Sequence, residues 1–165
     1  MALEIERKFL LLNESWRSAT VGSQLMRQGY LNNEVRCSIR VRTAADKAWL
    51  NIKSATIGAQ RHEFEYEIPS SDATVMFDTL AIPPFIEKIR HLVKNGEHTW
   101  EIDEFLGDNL GLIVAEIELA DPLEEFAQPA WLGKEVTHDL RYYNTNLCRH
   151  PFRTWSREEM QQHAG

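Results

Sequence analysis

The sequence predicts an α+β fold: a closed antiparallel barrel of eight strands with a charged lumen, flanked by helices, in a single domain over residues 1–165. Three observations lead there. Apolar and polar residues alternate with period two in segment after segment, the pattern of a strand with one dry face. The polar positions of those segments carry mainly acids and arginines, with the two signs segregated by strand. About eight such segments are enough to close a sheet on itself, so that interior positions alternate with exterior ones. A chain of 165 residues that is 43% hydrophobic and 26% charged can build one core of its own.

The elements follow in order. In the first strand Glu4, Glu6 and Lys8 share a face, while Ile5 and Phe9 share the other with Arg7 between them. Residues 13–23 read as irregular or as a short helix, and Gln24–Leu31 as the next strand. Val35, Cys37, Ile39 and Val41 alternate with Arg36, Ser38, Arg40 and Arg42; Leu50 and Ile52 alternate with Asn51 and Lys53. Phe64, Tyr66 and Ile68 alternate with Glu63, Glu65 and Glu67. Ser70-Ser71-Asp72 caps a helix that runs through Leu80 and is stopped by Pro83-Pro84. Ile86–Val93 is a strand, and Asn95-Gly96 is a type I′ turn signal. With those two residues as the loop, position 94 faces 97, Arg90 faces Glu101, Lys88 faces Asp103, Ile89 faces Ile102 and His91 faces Trp100. Ala115, Ile117 and Leu119 alternate with Glu116 and Glu118 in the last strand. Asp121-Pro122 before Glu124-Glu125 starts a helix, with Pro in first position and acids in the first turn. Thr137 or Asp139 starts another through Arg149. Ser156 and Glu159 form a capping box for a terminal helix over about 154–163. That helix either plugs one end of the barrel or contacts a second copy in a homodimer; the residues do not choose.

The charged face is the functional signal. Nine acids fall on it: Glu4, Glu6, Glu63, Glu65, Glu67, Glu101, Asp103, Glu116 and Glu118. Seven bases accompany them: Lys8, Arg36, Arg40, Arg42, Lys53, Lys88 and Arg90. A face that only meets water would hold more Ser, Thr, Gln and Lys. If the loop of the turn at 45–48 keeps Arg40 and Arg42 on the same face as Asn51 and Lys53, cations face cations, a crowding that destabilises a sheet unless an anion lies between. Turned inward, such a set suits a polyanion bridged by divalent cations. Carboxylates favour hard cations such as Mg²⁺ or Mn²⁺, and Arg and Lys clamp phosphate oxygens. Phe77, Leu80, Phe85 and Trp131 would then cover the apolar outer face with the helices.

Other classes are disfavoured. A net charge of -7 and pI near 5.4 argue against a nucleic-acid or anionic-membrane partner. The six histidines make no zinc motif, and there is no phosphate-binding glycine loop and no nucleophile elbow. Two unpaired-looking cysteines and a charged start without an apolar stretch point to the cytoplasm.

Several segments resemble the CYTH domain of the triphosphate tunnel metalloenzymes. The match starts at Glu4-Ile5-Glu6-Arg7-Lys8-Phe9-Leu10 and continues through Arg27-Gln28-Gly29-Tyr30-Leu31, Ile39-Arg40-Val41-Arg42 and Ile52-Lys53-Ser54. It goes on, in order, through Glu65-Tyr66-Glu67-Ile68, Glu87-Lys88-Ile89-Arg90, Trp100-Glu101-Ile102-Asp103 and Glu116-Ile117-Glu118, and ends in residues 131–144. The resemblance implies a metal-dependent phosphohydrolase of the short bacterial tripolyphosphatase type. By it, Glu4, Glu6, Glu116 and Glu118 hold a divalent metal, and Lys8, Arg40, Arg42, Lys53, Arg90 and Arg141 bind phosphate oxygens. Glu65, Glu67 and Asp103 would hold a second metal or orient the attacking water. Tyr30 and Lys88 match a Tyr–Lys pair that shapes catalysis in some members, although Tyr30 reads equally well as a packed wall residue beside a Gly29 bulge. Leu140 and Tyr143 stand where similar chains carry basic or polar residues, which bears on substrate choice. The rival readings are a class IV-type adenylate cyclase, a thiamine triphosphatase, and a non-catalytic binder of polyphosphate or nucleotide.

Overall fold

The first strand closes the fold because it pairs on both edges. The structure is a computed structural model and describes residues 2–55 and 60–165. β1 (Ala2–Leu11) pairs β5 (Gln60–Ile68) through residues 2–5 and β8 (Ile113–Leu119) through residues 5–9, both antiparallel. Between them run β4 (Lys47–Ser54), β3 (Cys37–Ala44), β2 (Thr20–Tyr30), β6 (Ile82–Asn95) and β7 (His98–Phe105), in the order β5-β4-β3-β2-β6-β7-β8-β1. The expected eight-stranded barrel is therefore present. A short β9 (Leu132–Glu135) extends the sheet beyond it by pairing the end of β1, with a register shift between Phe9 and Leu11.

Alternation sorts the side chains into an inside and an outside. Ile5, Phe9, Trp100, Ile102, Ala115 and Ile117 form an outer apolar cluster, covered by Trp16 from a 3₁₀ turn at Ser15–Ala19 and by Trp131. A second outer cluster lies under α1 (Ser70–Thr79), where Phe77 packs with Val41 and Ala48. Gly29 sits at a bulge in β2, and a Cβ there would stand 3.0 Å from Ala81 and 3.1 Å from Phe77, so only glycine lets α1 approach this closely. The third cluster lies inside. Leu10, Ile86, Phe105 and Val114 continue the lumen face of their strands, and Leu112 joins them from just before β8. They pack on Tyr142, Leu147, Phe152 and Trp155 from the C-terminal segment, which holds α2 (Asn144–Arg149). One end of the barrel is thus filled by an apolar plug.

Several local expectations are corrected. The β6–β7 loop is Gly96-Glu97, with Asn95 paired to His98, so Arg90 faces Asp103 and Lys88 faces Phe105; likewise Ile89 faces Glu104 and His91 faces Ile102. Gly96 takes φ 62° at the first central position while Glu97 is not left-handed, the type II′ pattern rather than I′. Asn95 instead anchors its side chain on the Ala127 carbonyl at 2.8 Å. A shift of two keeps every residue on its face, so the charged side of the hairpin is unchanged. No helix follows Asp121: its carboxylate accepts from the Leu123 N–H at 2.8 Å and Glu124 accepts from the Ala120 N–H at 2.6 Å, local turns that compete with helix formation. The helix expected through Arg149 is split, because Asp139 caps a 3₁₀ turn at Leu140–Tyr142 and Tyr143 is extended before α2. α1 starts without a side-chain cap, and Leu80 lies exposed past its end. The capping box at Ser156 is formed and opens α3 (Arg157–Ala164), which packs on its own chain through His163 and Tyr142.

Trp100 is fully buried between Phe9, Phe126 and Trp131, with ring centroids 5.7, 5.5 and 5.2 Å away. Trp100→Ala is expected to cost about 3–5 kcal/mol by cavity formation, read as a lower midpoint in urea unfolding.

Candidate active site

The lumen is charged along the part that the plug leaves open. It encloses a cavity of about 700 Å³. Glu4, Glu6, Lys8, Tyr30, Arg40, Arg42, Lys53, Glu65, Arg90, Glu116 and Glu118 all line it, so eleven of the residues singled out in the sequence meet in one place. Tyr143, Asn144 and Thr145 from the C-terminal segment complete the wall.

Carboxylates gather where β1, β8 and β5 meet. Glu6 and Glu118 stand directly opposite each other in register, and Glu4 follows two residues along β1. Like charges placed so destabilise a sheet. Lys53 donates to both oxygens of Glu4 at 2.9 and 3.0 Å and lies 3.3 Å from Glu63. Arg61 donates to Glu4 at 2.8 Å and to Glu6 at 3.4 Å. Glu118 receives no hydrogen bond or ion pair among the described residues. Burial, with Glu4, Glu6 and Glu63 nearby, pushes its carboxyl above the usual range. Four carboxylates against two cations leave an excess of two negative charges here.

Deeper in, every acid is matched. Lys8 pairs with Glu116, and Arg90 bridges Asp103 at 2.7 Å, Glu101 and, at 3.3 Å, Glu116. Lys88 is buried against Asp103, and burial pulls its ammonium down to about 8 although Asp103 opposes this. Asp103 is held below the usual carboxylate range by Arg90 and Lys88, against the cost of its own burial.

The opposite wall, β3 with β2, carries unmatched positive charge. Arg40 is buried and has no carboxylate partner among the described residues. Arg42 donates to Glu65 at 2.8 Å, and burial and Arg40 together lower its pKa. The Nε atoms of both arginines and the Nε2 of Gln28 are buried without partners. The cations foreseen around the 45–48 turn do share a face, but Arg40 stands opposite Asn51 and Lys53 opposite Ser38, so none meets another head-on. Unmet buried donors of this kind are costly unless an anion takes them.

Four of the expected site residues lie off the cavity. Glu67 is exposed at the rim beside Lys47 at 3.6 Å. Arg141 turns outward onto Asp139 and Gln162, because the 3₁₀ turn capped by Asp139 fixes it there. Lys88 and Asp103 lie beneath the cavity wall, and Lys88 is not beside Tyr30: it stands opposite Met26, and Tyr30 opposite Ile82. Among the acids and bases of the charged face, Glu63 and Glu101 are paired with Lys53 and Arg90, and Arg36 is exposed. Arg61 was missed. Its odd-numbered parity with Glu63 and Glu65 was the available signal.

A metal ion suits the donor set. Glu118, exposed to solvent and facing Glu6, adds an oxygen donor beside Glu4 and Glu6, and oxygen donors of this kind select hard divalent ions. Among the described residues no three acidic, histidine or cysteine side chains yet stand in a metal-holding group. Lys53 and Arg61 occupy Glu4 and Glu6 instead.

Comparison with known proteins agrees with this geometry. The CYTH domain model matches residues 2–151. An inorganic triphosphatase of Acetivibrio thermocellus is 43% identical over 155 residues, covering 94% of this chain and 99% of that one. Another from Nitrosomonas europaea is 30% identical over 149 residues, covering 88% and 96%. A crystal structure of an inorganic triphosphatase superposes with a TM-score of 0.65 at 29% identity, covering 90% of this chain and 95% of that one.

Glu118→Gln removes one of two facing negative charges. In metal-free buffer it is expected to raise the melting temperature above that of the wild type. It is also expected to shrink the further rise that Mg²⁺ produces in the wild type, both read by circular dichroism.

Proposed function

This chain belongs to the CYTH domain family, and we propose that its lumen hydrolyses a triphosphate, inorganic tripolyphosphate above others, to pyrophosphate and phosphate. The observation that carries the reading is the pairing of opposites across one cavity: Glu118 facing Glu6 with no ion-pair partner among the described residues, and the buried Arg40 beside Arg42 with no carboxylate at ion-pair distance among them. A polyanion that brings a divalent cation satisfies both at once. The names of the curated relatives support the same substrate.

Glu4, Glu6 and Glu118 would hold Mg²⁺ or Mn²⁺. When bound, the ion neutralises the phosphate chain and polarises the phosphorus under attack. Arg40 and Arg42 take phosphate oxygens through their free N–H groups. Arg90 reaches the cavity with its guanidinium fixed by Asp103 and Glu101, and Lys88 holds Asp103 from below, so both act as positioning residues. Glu65 fixes Arg42 in the same way. Water attacks the terminal phosphorus and gives up one proton to solvent, the bond to the bridging oxygen breaks, and that oxygen leaves with the electron pair as pyrophosphate, the other product being hydrogen phosphate. Cations already in place stabilise the charge that develops there without reorganising. The apolar plug of Leu10, Ile86, Phe105, Leu112 and Val114 keeps bulk water from the inner end.

Two tests follow. Tripolyphosphate, thiamine triphosphate and ATP are each incubated with Mg²⁺ and with Mn²⁺, and released phosphate is measured. Tripolyphosphate is expected to be fastest, with no cyclic AMP from ATP and Mn²⁺. Glu4→Gln and Glu6→Gln are expected to lower turnover at least about a hundred-fold while the folded circular dichroism signal persists. Full activity in either variant overturns the assignment.

A further inference from the structure

Arg61 has a place that the proposed chemistry does not use. It lies opposite Glu4 in the β1–β5 pair, faces the cavity, and spends its donors on Glu4 at 2.8 Å and Glu6 at 3.4 Å. Lys53 shares Glu4 but also keeps Glu63 at 3.3 Å, so it retains a carboxylate if Glu4 is taken from it. Arg61 has no carboxylate other than Glu4 and Glu6 among the described residues. A divalent ion on those two acids would leave it unpaired beside like charge. The side chain is long, lines the cavity, and ends in a planar fork that fits phosphate oxygens as well as it fits carboxylates.

We infer that Arg61 is an internal counter-ion: it holds Glu4 and Glu6 while the metal is absent and passes to the triphosphate when the metal arrives. Each ligand then removes a cost that the other would meet. The metal frees Arg61 for the phosphates, and the phosphates draw Arg61 off the metal's carboxylates. Coupling of this kind is reciprocal. The inference rests on the assignment of Glu4, Glu6 and Glu118 to the metal.

Isothermal titration calorimetry with Mg²⁺ tests it, run without anion and again with saturating imidotriphosphate, a chain that is not hydrolysed. The wild type is expected to bind Mg²⁺ more tightly in the second state. In Arg61→Gln, Mg²⁺ affinity without anion is expected to rise about ten-fold, the scale of losing one charged competitor. With imidotriphosphate bound it should not rise, because Arg61 has by then left the carboxylates. Removal of a general repulsion would raise affinity by the same factor in both states, and that result, or no change in either, overturns the inference. Wild type that binds no Mg²⁺ in either state overturns the metal assignment beneath it. Arg61→Lys, which keeps the charge but cannot bridge both acids, should fall between the two and carries the same comparison if the glutamine variant does not fold.

Discussion

A charge inside a closed barrel has to be answered, by an opposite charge or by a ligand. Burying an ion unpaired costs several kcal/mol. The pairing of β1 with both β5 and β8 imposes that condition here. Once the ring is closed, Glu4 and Lys8 have little solvent to turn to, and neither do Arg40, Lys53, Lys88, Asp103 and Glu116 of the other strands. The rest of the interior is the set of answers the sequence supplies.

Most of those answers are internal. Lys8 meets Glu116, Arg90 meets Asp103, and Lys88 is buried on Asp103 from below. These pairs lie toward the plug, where the lumen turns apolar. Matching is looser nearer the open part, with opposite sign on two walls: among the described residues Glu118 has no ion-pair partner and Arg40 no carboxylate at ion-pair distance. A site that binds a metal together with a polyanion needs that pattern, because complete internal pairing would leave the ligands nothing to replace. Arg61 extends the idea. It covers two carboxylates with donors that suit phosphate equally well.

Much of the fold was legible because the period-two alternation is a local property. It marked the strands, and it put the correct residues on the lumen side even where the pairing was misread. The hairpin shows why. Asn95-Gly96 pointed to one turn type and the chain uses another, but a shift of two residues preserves every face. The helices were less legible. The acids around Asp121 satisfy backbone groups locally in a turn as readily as they start a helix, and nothing nearby in sequence tells which occurs. The site was read in the same measure. Eleven of the expected residues line one cavity, whereas Arg141 was drawn away by Asp139, a partner only two positions off.

The sequence by itself determined the strands, the segregation of charge by strand, and the residue types that a metal and a triphosphate require, since each depends on neighbours along the chain. It also carried the family. Tertiary structure alone decided which charges are spent on one another and which are left over. The opposition of Glu6 and Glu118 and the hold of Arg61 on Glu4 and Glu6 both arise between strands far apart in sequence. Electrostatic pairing acts over a few ångströms of space, and only closure of the barrel fixes what lies within that distance.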